Sequence, residues 1–140
     1  MRKAERPSGV TALSVFFLAG AAISATAAFA LLNPGGPLDP IWRLNLRGHE
    51  GFLALGGWAI ALLAVVSPAC LFAGIGFWQG RRWGYRLGVG LLIVNLIGDV
   101  VNVVTGLEPR AVIGVPIVAA LLVYLSRVNV RRFFADGSNA

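Results

Sequence analysis

Charge is scarce in this chain. Only 13% of its 140 residues are Asp, Glu, Lys or Arg, where an ordinary soluble domain has about a quarter. It has one cysteine, Cys70, and one histidine, His49. A lone cysteine excludes an intrachain disulfide and a redox pair, and one His with one distant Cys does not make a zinc site. Cys70, in the middle of an apolar run, therefore reads as a small buried hydrophobe. No Ser-His-Asp set, metal-ligand cluster or phosphate-cradling glycine loop after a strand can be found. These absences argue against an enzyme and give no reason to expect a cofactor or a metal.

What the chain has instead is apolar surface. Hydrophobic residues make up 57% of it, and the mean hydropathy is +0.77. They are gathered into long uncharged runs bounded by arginines, which is the membrane pattern. The runs predict an all-α integral membrane protein, an antiparallel up-down four-helix bundle forming one membrane domain over 1–140. Its spans are expected at about 10–32, 51–79, 85–105 and 110–130. Arg2, Lys3, Arg6, Arg81, Arg82, Arg86, Arg127, Arg131 and Arg132 fall at one set of span ends, and Arg43, Arg47 and Arg110 at the other. This positive-inside bias predicts that both termini are cytoplasmic. It also accounts for the net charge of +6 without nucleic acid, so the expected partner is the lipid bilayer, with a homo-oligomer or a larger membrane complex beyond it.

Within the first run, Gly20, Ser24 and Ala28 recur every fourth residue and let a neighbouring helix approach closely. The basic start and Ala28-Phe29-Ala30 also match the ends of a signal peptide. The apolar run is longer than the 7–15 residues of a signal core, which favours a retained span. Asn33-Pro34-Gly35-Gly36-Pro37 breaks the helix. Asp39-Pro40 then starts a short interfacial helix over about 40–47 in the first outer loop, with Trp42 expected at headgroup level. Pro68 interrupts the second run and Gly80 ends it. The fourth run is only about 24 Å long before Arg127, whose side chain can snorkel to the interface; the helix can then continue along the surface through Arg131 and Arg132.

Asp99 is the one ionisable side chain within these runs. A carboxylate in a bilayer costs roughly 2.5–3.5 kcal/mol on insertion scales unless it is paired, hydrated or protonated. On a helical wheel Gly84, Gly88, Asp99 and Asn102 all lie within about 40° of Asn95. That face is a Gly-x-x-x-Gly patch at its cytoplasmic half and polar at its outer half, and the opposite side is Val, Leu and Ile. It is expected to meet protein. Depth matching across an antiparallel bundle brings Ser24, Thr26, Gly57, Trp58, Gly114 and Pro116 to the level of Asp99. Trp58, Ser24, Thr26 and Arg110 are thus its candidate partners. His49 and Glu50 open the second run nearby, and a His beside a carboxylate is a possible titrating pair at the mouth of such a site.

The run Gly80-Arg81-Arg82-Trp83-Gly84, followed by Asn95, Gly98-Asp99, Asn102, Gly114-Val115-Pro116-Ile117, Tyr124-Leu125 and Val130-Arg131, resembles small uncharacterised bacterial inner-membrane proteins with four transmembrane helices. The resemblance covers roughly residues 50–134 and implies a multi-pass protein of the bacterial inner membrane with no assigned activity. The size is also similar to DoxX-like proteins and small multidrug transporters, but the latter carry a glutamate in their first span and this first span has no charge. Two functions are expected. One is a non-enzymatic binding or interaction module with Asp99 in a buried polar network. The other is a small proton-linked transporter or polar-ligand carrier using Asp99.

Overall fold

The computed structural model describes residues 6–106 and 110–137. Arg2 and Lys3, the turn residues Glu108 and Pro109, and the tail from 138 to 140 lie outside the described residues. The described chain is all-α. Helix α1 spans Ser8–Leu32, a 3-10 helix covers Asp39–Leu44, and α2 (Leu46–Leu55), α3 (Gly57–Trp78), α4 (Arg82–Thr105), α5 (Ala111–Ser126) and α6 (Val128–Asp136) follow. Three of these, α1, α3 and α4, are long and apolar enough to cross a membrane, and a fourth span arises if α5 and α6 count as one bent unit. This is the make-up of a helical membrane protein.

Local chemistry explains most of the boundaries. Pro7 stands at the N-cap of α1, where its missing N–H costs nothing. Asn33 ends the helix by donating from Nδ2 to the Phe29 carbonyl at 3.0 Å, and Pro34 forbids continuation. The loop that follows differs from the predicted single interfacial helix over 40–47 and a second span starting at 51. Asn45 Oδ1 accepts from the Gly48 N–H at 2.9 Å, an N-cap that starts α2 as a separate helix. Residues 51–55 belong to α2, which has no buried residue. The chain then breaks at Gly56, with φ 57° and ψ −133°, a conformation open essentially to glycine alone. Trp42 does not stand out from the surface: it is 8% exposed, packed with Ala27, Ala30 and Leu63. The 33–38 turn folds the 3-10 helix back onto the ends of α1 and α3, so the ring serves as an anchor.

At Arg127 the backbone turns extended (φ −60°, ψ 139°) and α6 leaves α5 at 61°. The helix α6 is amphipathic, burying Val130 and Phe134 and exposing Arg131 and Arg132, which suits a segment lying along the end of a bundle.

The helices pair as two antiparallel hairpins. In the first, α1 and α3 stay together along their length. The Ser14 hydroxyl donates to the Gly74 carbonyl at 2.7 Å and the Ser67 hydroxyl to the Ala21 carbonyl at 3.0 Å. Gly20 faces Cys70 there, its missing Cβ position lying 3.8 Å from Sγ, so small residues of the first span give α3 its close approach. In the second, α4 and α5 are joined by Tyr85 Oη donating to the Leu125 carbonyl at 3.0 Å. The two hairpins meet at the arginine-rich end. Gly84 of α4 lies so close to Gly76 of α3 that a Cβ on either would strike the other's backbone. Gly88 is enclosed by the rings of Phe77 and Phe17. Phe77, fully buried, packs at a tilt on Phe17 with centroids 5.4 Å apart and edge-to-face on Phe134 at 5.1 Å. Arg6 donates to the carbonyls of Phe77 and Trp78 at the C-terminal end of α3, where a cation suits the helix dipole; the Phe77 carbonyl also accepts from the Gly80 N–H at 3.1 Å.

Candidate functional site

The packed face of α4 does not stay packed. Its buried residues are Gly84, Gly88 and Leu92. Asn95 shares the azimuth of the two glycines to within about 20°, yet it is exposed, and Asp99 and Asn102 are half-exposed. The matching face of α3 behaves the same way. Trp58, Leu62 and Val65 lie within about 40° of Gly76 on that helix, and they are 80%, 53% and 69% exposed. The contact closed at Gly76 and Gly84 is therefore open further along. The hairpins splay into a cleft with an apolar wall on α3 and a polar strip, Asn95-Asp99-Asn102, on α4. A second, smaller core at that end contains Ala27, Ala30, Trp42 and Leu63, with Phe52 against it. It is built from α1, α2, α3 and the 3-10 helix and takes nothing from α4 or α5.

Asp99 has two described neighbours. Asn95 Nδ2 donates to Asp99 Oδ2 at 3.1 Å, an i,i+4 pair along one helix face. On its other side the carboxylate rests on Gly114 of α5, where a Cβ would stand 2.5 Å from Oδ2. Gly114 lies in the opening turns of α5, near N–H groups that lack helical acceptors and the positive end of the helix dipole. Arg110 is the N-cap of the same helix, one turn before Gly114.

The partners expected from depth alone stand elsewhere. Trp58 is on the bare α3 wall, and Thr26 donates to the Ala22 carbonyl of its own helix at 2.8 Å. Ser24 is half-buried on α1. Depth sets the level of a side chain but not its azimuth, and the splay carries α1 away from this part of α4. The Asn95-Asp99 pair is half-exposed rather than enclosed.

His49 and Glu50, adjacent in sequence, part company. His49 stacks on Trp42 with ring centroids 4.6 Å apart and planes 8° from parallel. Glu50 lines a groove of about 930 Å³ at the splayed end, together with Asn45, Arg47, Phe52, Leu55 and Asn102. Asn102 thus links the polar strip of α4 to the groove beside α2. Among the described residues, no group of three or more His, Cys, Asp or Glu side chains is placed to hold a metal ion.

Three residues that shape this region carry weaker sequence signals. Gly76 sits between Ile75 and Phe77 near the end of an apolar run, Gly114 is one glycine in a short span, and Trp42 lies beside Arg43. The signal for Gly114 was its level opposite Asp99; only the packing of α4 on α5 turns that level into a contact. Compared with known proteins, the chain has no match: no family model, no curated protein and no solved structure resembles it beyond chance.

Proposed function

We propose that this chain is a small, non-enzymatic, multi-pass protein of the bacterial inner membrane that acts by association, with a second copy of itself closing the cleft between its hairpins. The reading rests on the polar strip of α4. Asn95 and Asp99 lie on a helix face that packs tightly at Gly84 and Gly88 and is covered only in part beyond Leu92, with Asn95 exposed and Asp99 half-exposed. In a bilayer an apolar wall such as Trp58, Leu62 and Val65 is content against lipid, but an amide and a carboxylate are not. Asn95 offers a donor and an acceptor and Asp99 an acceptor, so the strip is self-complementary about a two-fold axis. The arginines at positions 6, 81, 82, 86, 127, 131 and 132 orient both termini to the cytoplasm under the positive-inside rule.

The test is the oligomeric state in lipid nanodiscs and in dilution-dependent energy transfer between labelled copies. Polar contacts between helices in membranes are worth about 0.6–2 kcal/mol each. The paired change Asn95→Leu with Asp99→Leu is expected to weaken a wild-type dimer at least tenfold while leaving its helicity intact. A wild type that stays monomeric at high protein-to-lipid ratio, or a dimer indifferent to the paired change, would overturn the proposal.

A second reading has one observation in its favour. Asn102, on the same strip, opens onto the groove of about 930 Å³, a route by which a proton or polar solute would reach Asp99. Vesicles loaded with a pH-sensitive dye decide it: proton flux in the wild type that is lost in Asp99→Asn supports a carrier, and absence of flux in the wild type removes it.

A further inference from the structure

The groove beside α2 has a chemistry of its own, independent of what closes the cleft at Asp99. Arg47 and Glu50 both line it. They are three residues apart on α2, so their Cβ atoms are about 5–6 Å apart on one helix face. Neither forms an ion pair within 4.0 Å among the described residues. One cation and one anion, side by side and unpaired, face the same space. Asn102 adds an amide that can donate and accept. The rim is apolar, formed by Phe52 and by Leu55, which is 53% exposed. The floor is left open by Gly51, whose missing side chain would meet nothing within 4 Å. The volume, about 930 Å³, is at the upper end of the roughly 300–1,000 Å³ typical of small-molecule sites. The groove stands next to Gly57, where the apolar span α3 begins, which is the headgroup level of a bilayer.

We propose that this groove is a binding site for a zwitterionic phospholipid. Its phosphate lies at Arg47, its ammonium at Glu50, and its acyl chains run past Phe52 and Leu55 into the surrounding bilayer. An arginine alone would suit any anionic headgroup. The carboxylate one turn on selects a headgroup that also carries a positive charge. The apolar rim selects a molecule with tails.

The test is native mass spectrometry of the intact chain released from uncharged maltoside micelles containing equal amounts of phosphatidylethanolamine, phosphatidylglycerol and diacylglycerol. The wild type is expected to retain phosphatidylethanolamine at least fivefold over the other two. Glu50→Gln should abolish the preference over phosphatidylglycerol without lowering phosphatidylglycerol itself, and Arg47→Gln should lower both phospholipids at least fivefold. Gly51→Leu, whose Cβ would meet nothing within 4 Å and whose remaining atoms enter the groove, should lower both while helicity and thermal midpoint stay unchanged. Free phosphoethanolamine, which has no tails, should not displace the lipid at millimolar concentration. Equal retention of the three lipids by the wild type, unchanged retention in Gly51→Leu, or displacement by free phosphoethanolamine would overturn the proposal. The same spectra report whether the protein is monomeric or dimeric, so failure of the lipid site is read separately from failure of self-association.

Discussion

At the arginine-rich end of the bundle the two helix hairpins touch backbone to backbone, and at the opposite end the same two helix faces stand apart. The difference lies in the residues that each face presents. At the closed end α3 offers Gly76 and α4 offers Gly84 and Gly88, and the space they leave is filled by the rings of Phe17, Phe77 and Phe134. At the open end α3 offers Trp58, Leu62 and Val65, and α4 offers Asn95, Asp99 and Asn102. Bulky apolar groups and hydrated polar groups have no reason to interdigitate. In a membrane, where burying apolar surface against protein rather than lipid carries little driving force, close packing of small residues decides which faces join. One helix pair therefore carries both a structural joint and an unfilled cleft.

The strongest challenge to this contrast is Gly84→Leu. Its side chain would meet the Gly76 backbone, which cannot rotate away, and the expected loss is about 3 kcal/mol or more. The corresponding truncation at the open end, Trp58→Ala, is expected to change stability by less than about 0.5 kcal/mol. Denaturant titration in detergent, followed by circular dichroism, measures both. Equal losses at the two ends would mean that the cleft is closed in solution.

A smaller effect is expected at the joint between α2 and α3. Gly56→Ala forces a Cβ into a glycine-only conformation at a cost of about 1–3 kcal/mol. Because α2 buries no residue, that cost should appear as faster hydrogen exchange in residues 46–58 and not in the α3–α4 contact. Loss of protection around Gly76 would show that the open end supports the closed one.

The smallest effect is Gly114→Ala. The new methyl group would press on the end of the Asp99 side chain, which can turn aside, so the expected loss is about 0.5–1.5 kcal/mol. Most of it should vanish when Asp99→Ala is added, a coupling that a double-mutant cycle reads directly. Additive losses would show that Asp99 does not rest on α5.

Much of the helical architecture is legible in the chain without coordinates. The uncharged runs announce the long helices, and Asn33-Pro34, Gly80 and Gly106 mark where three of them end. The wheel groups Gly84, Gly88, Asn95, Asp99 and Asn102 on one face of α4, and the two glycines of that face are buried. Less legible is the loop between α1 and α3. Asn45 capping Gly48 and the turn at Gly56 split residues that hydropathy joins, because hydropathy averages over a window longer than either signal. Least legible is the surrounding of Asp99. Matching levels across the bundle names Gly114, Trp58, Ser24 and Thr26 alike. Of these only Gly114 touches it, since α5 is the helix that follows α4 at that depth.

Composition and periodicity alone imply that this chain forms apolar helices of membrane-spanning length, that most of its arginines collect at one set of helix ends, and that one face of α4 is small and then polar. Those properties follow from composition and from a 3.6-residue period, both of which are local. The packing of distant helices adds that one half of that face is sealed and the other exposed, that His49 turns to Trp42 while Glu50 turns to the groove, and that the carboxylate of Asp99 meets the bare backbone of Gly114. Such outcomes depend on how helices far apart in the chain cross. A crossing is set by a few close contacts, here Gly76 on Gly84; the periodic pattern marks Gly84 as a contact but does not name its partner.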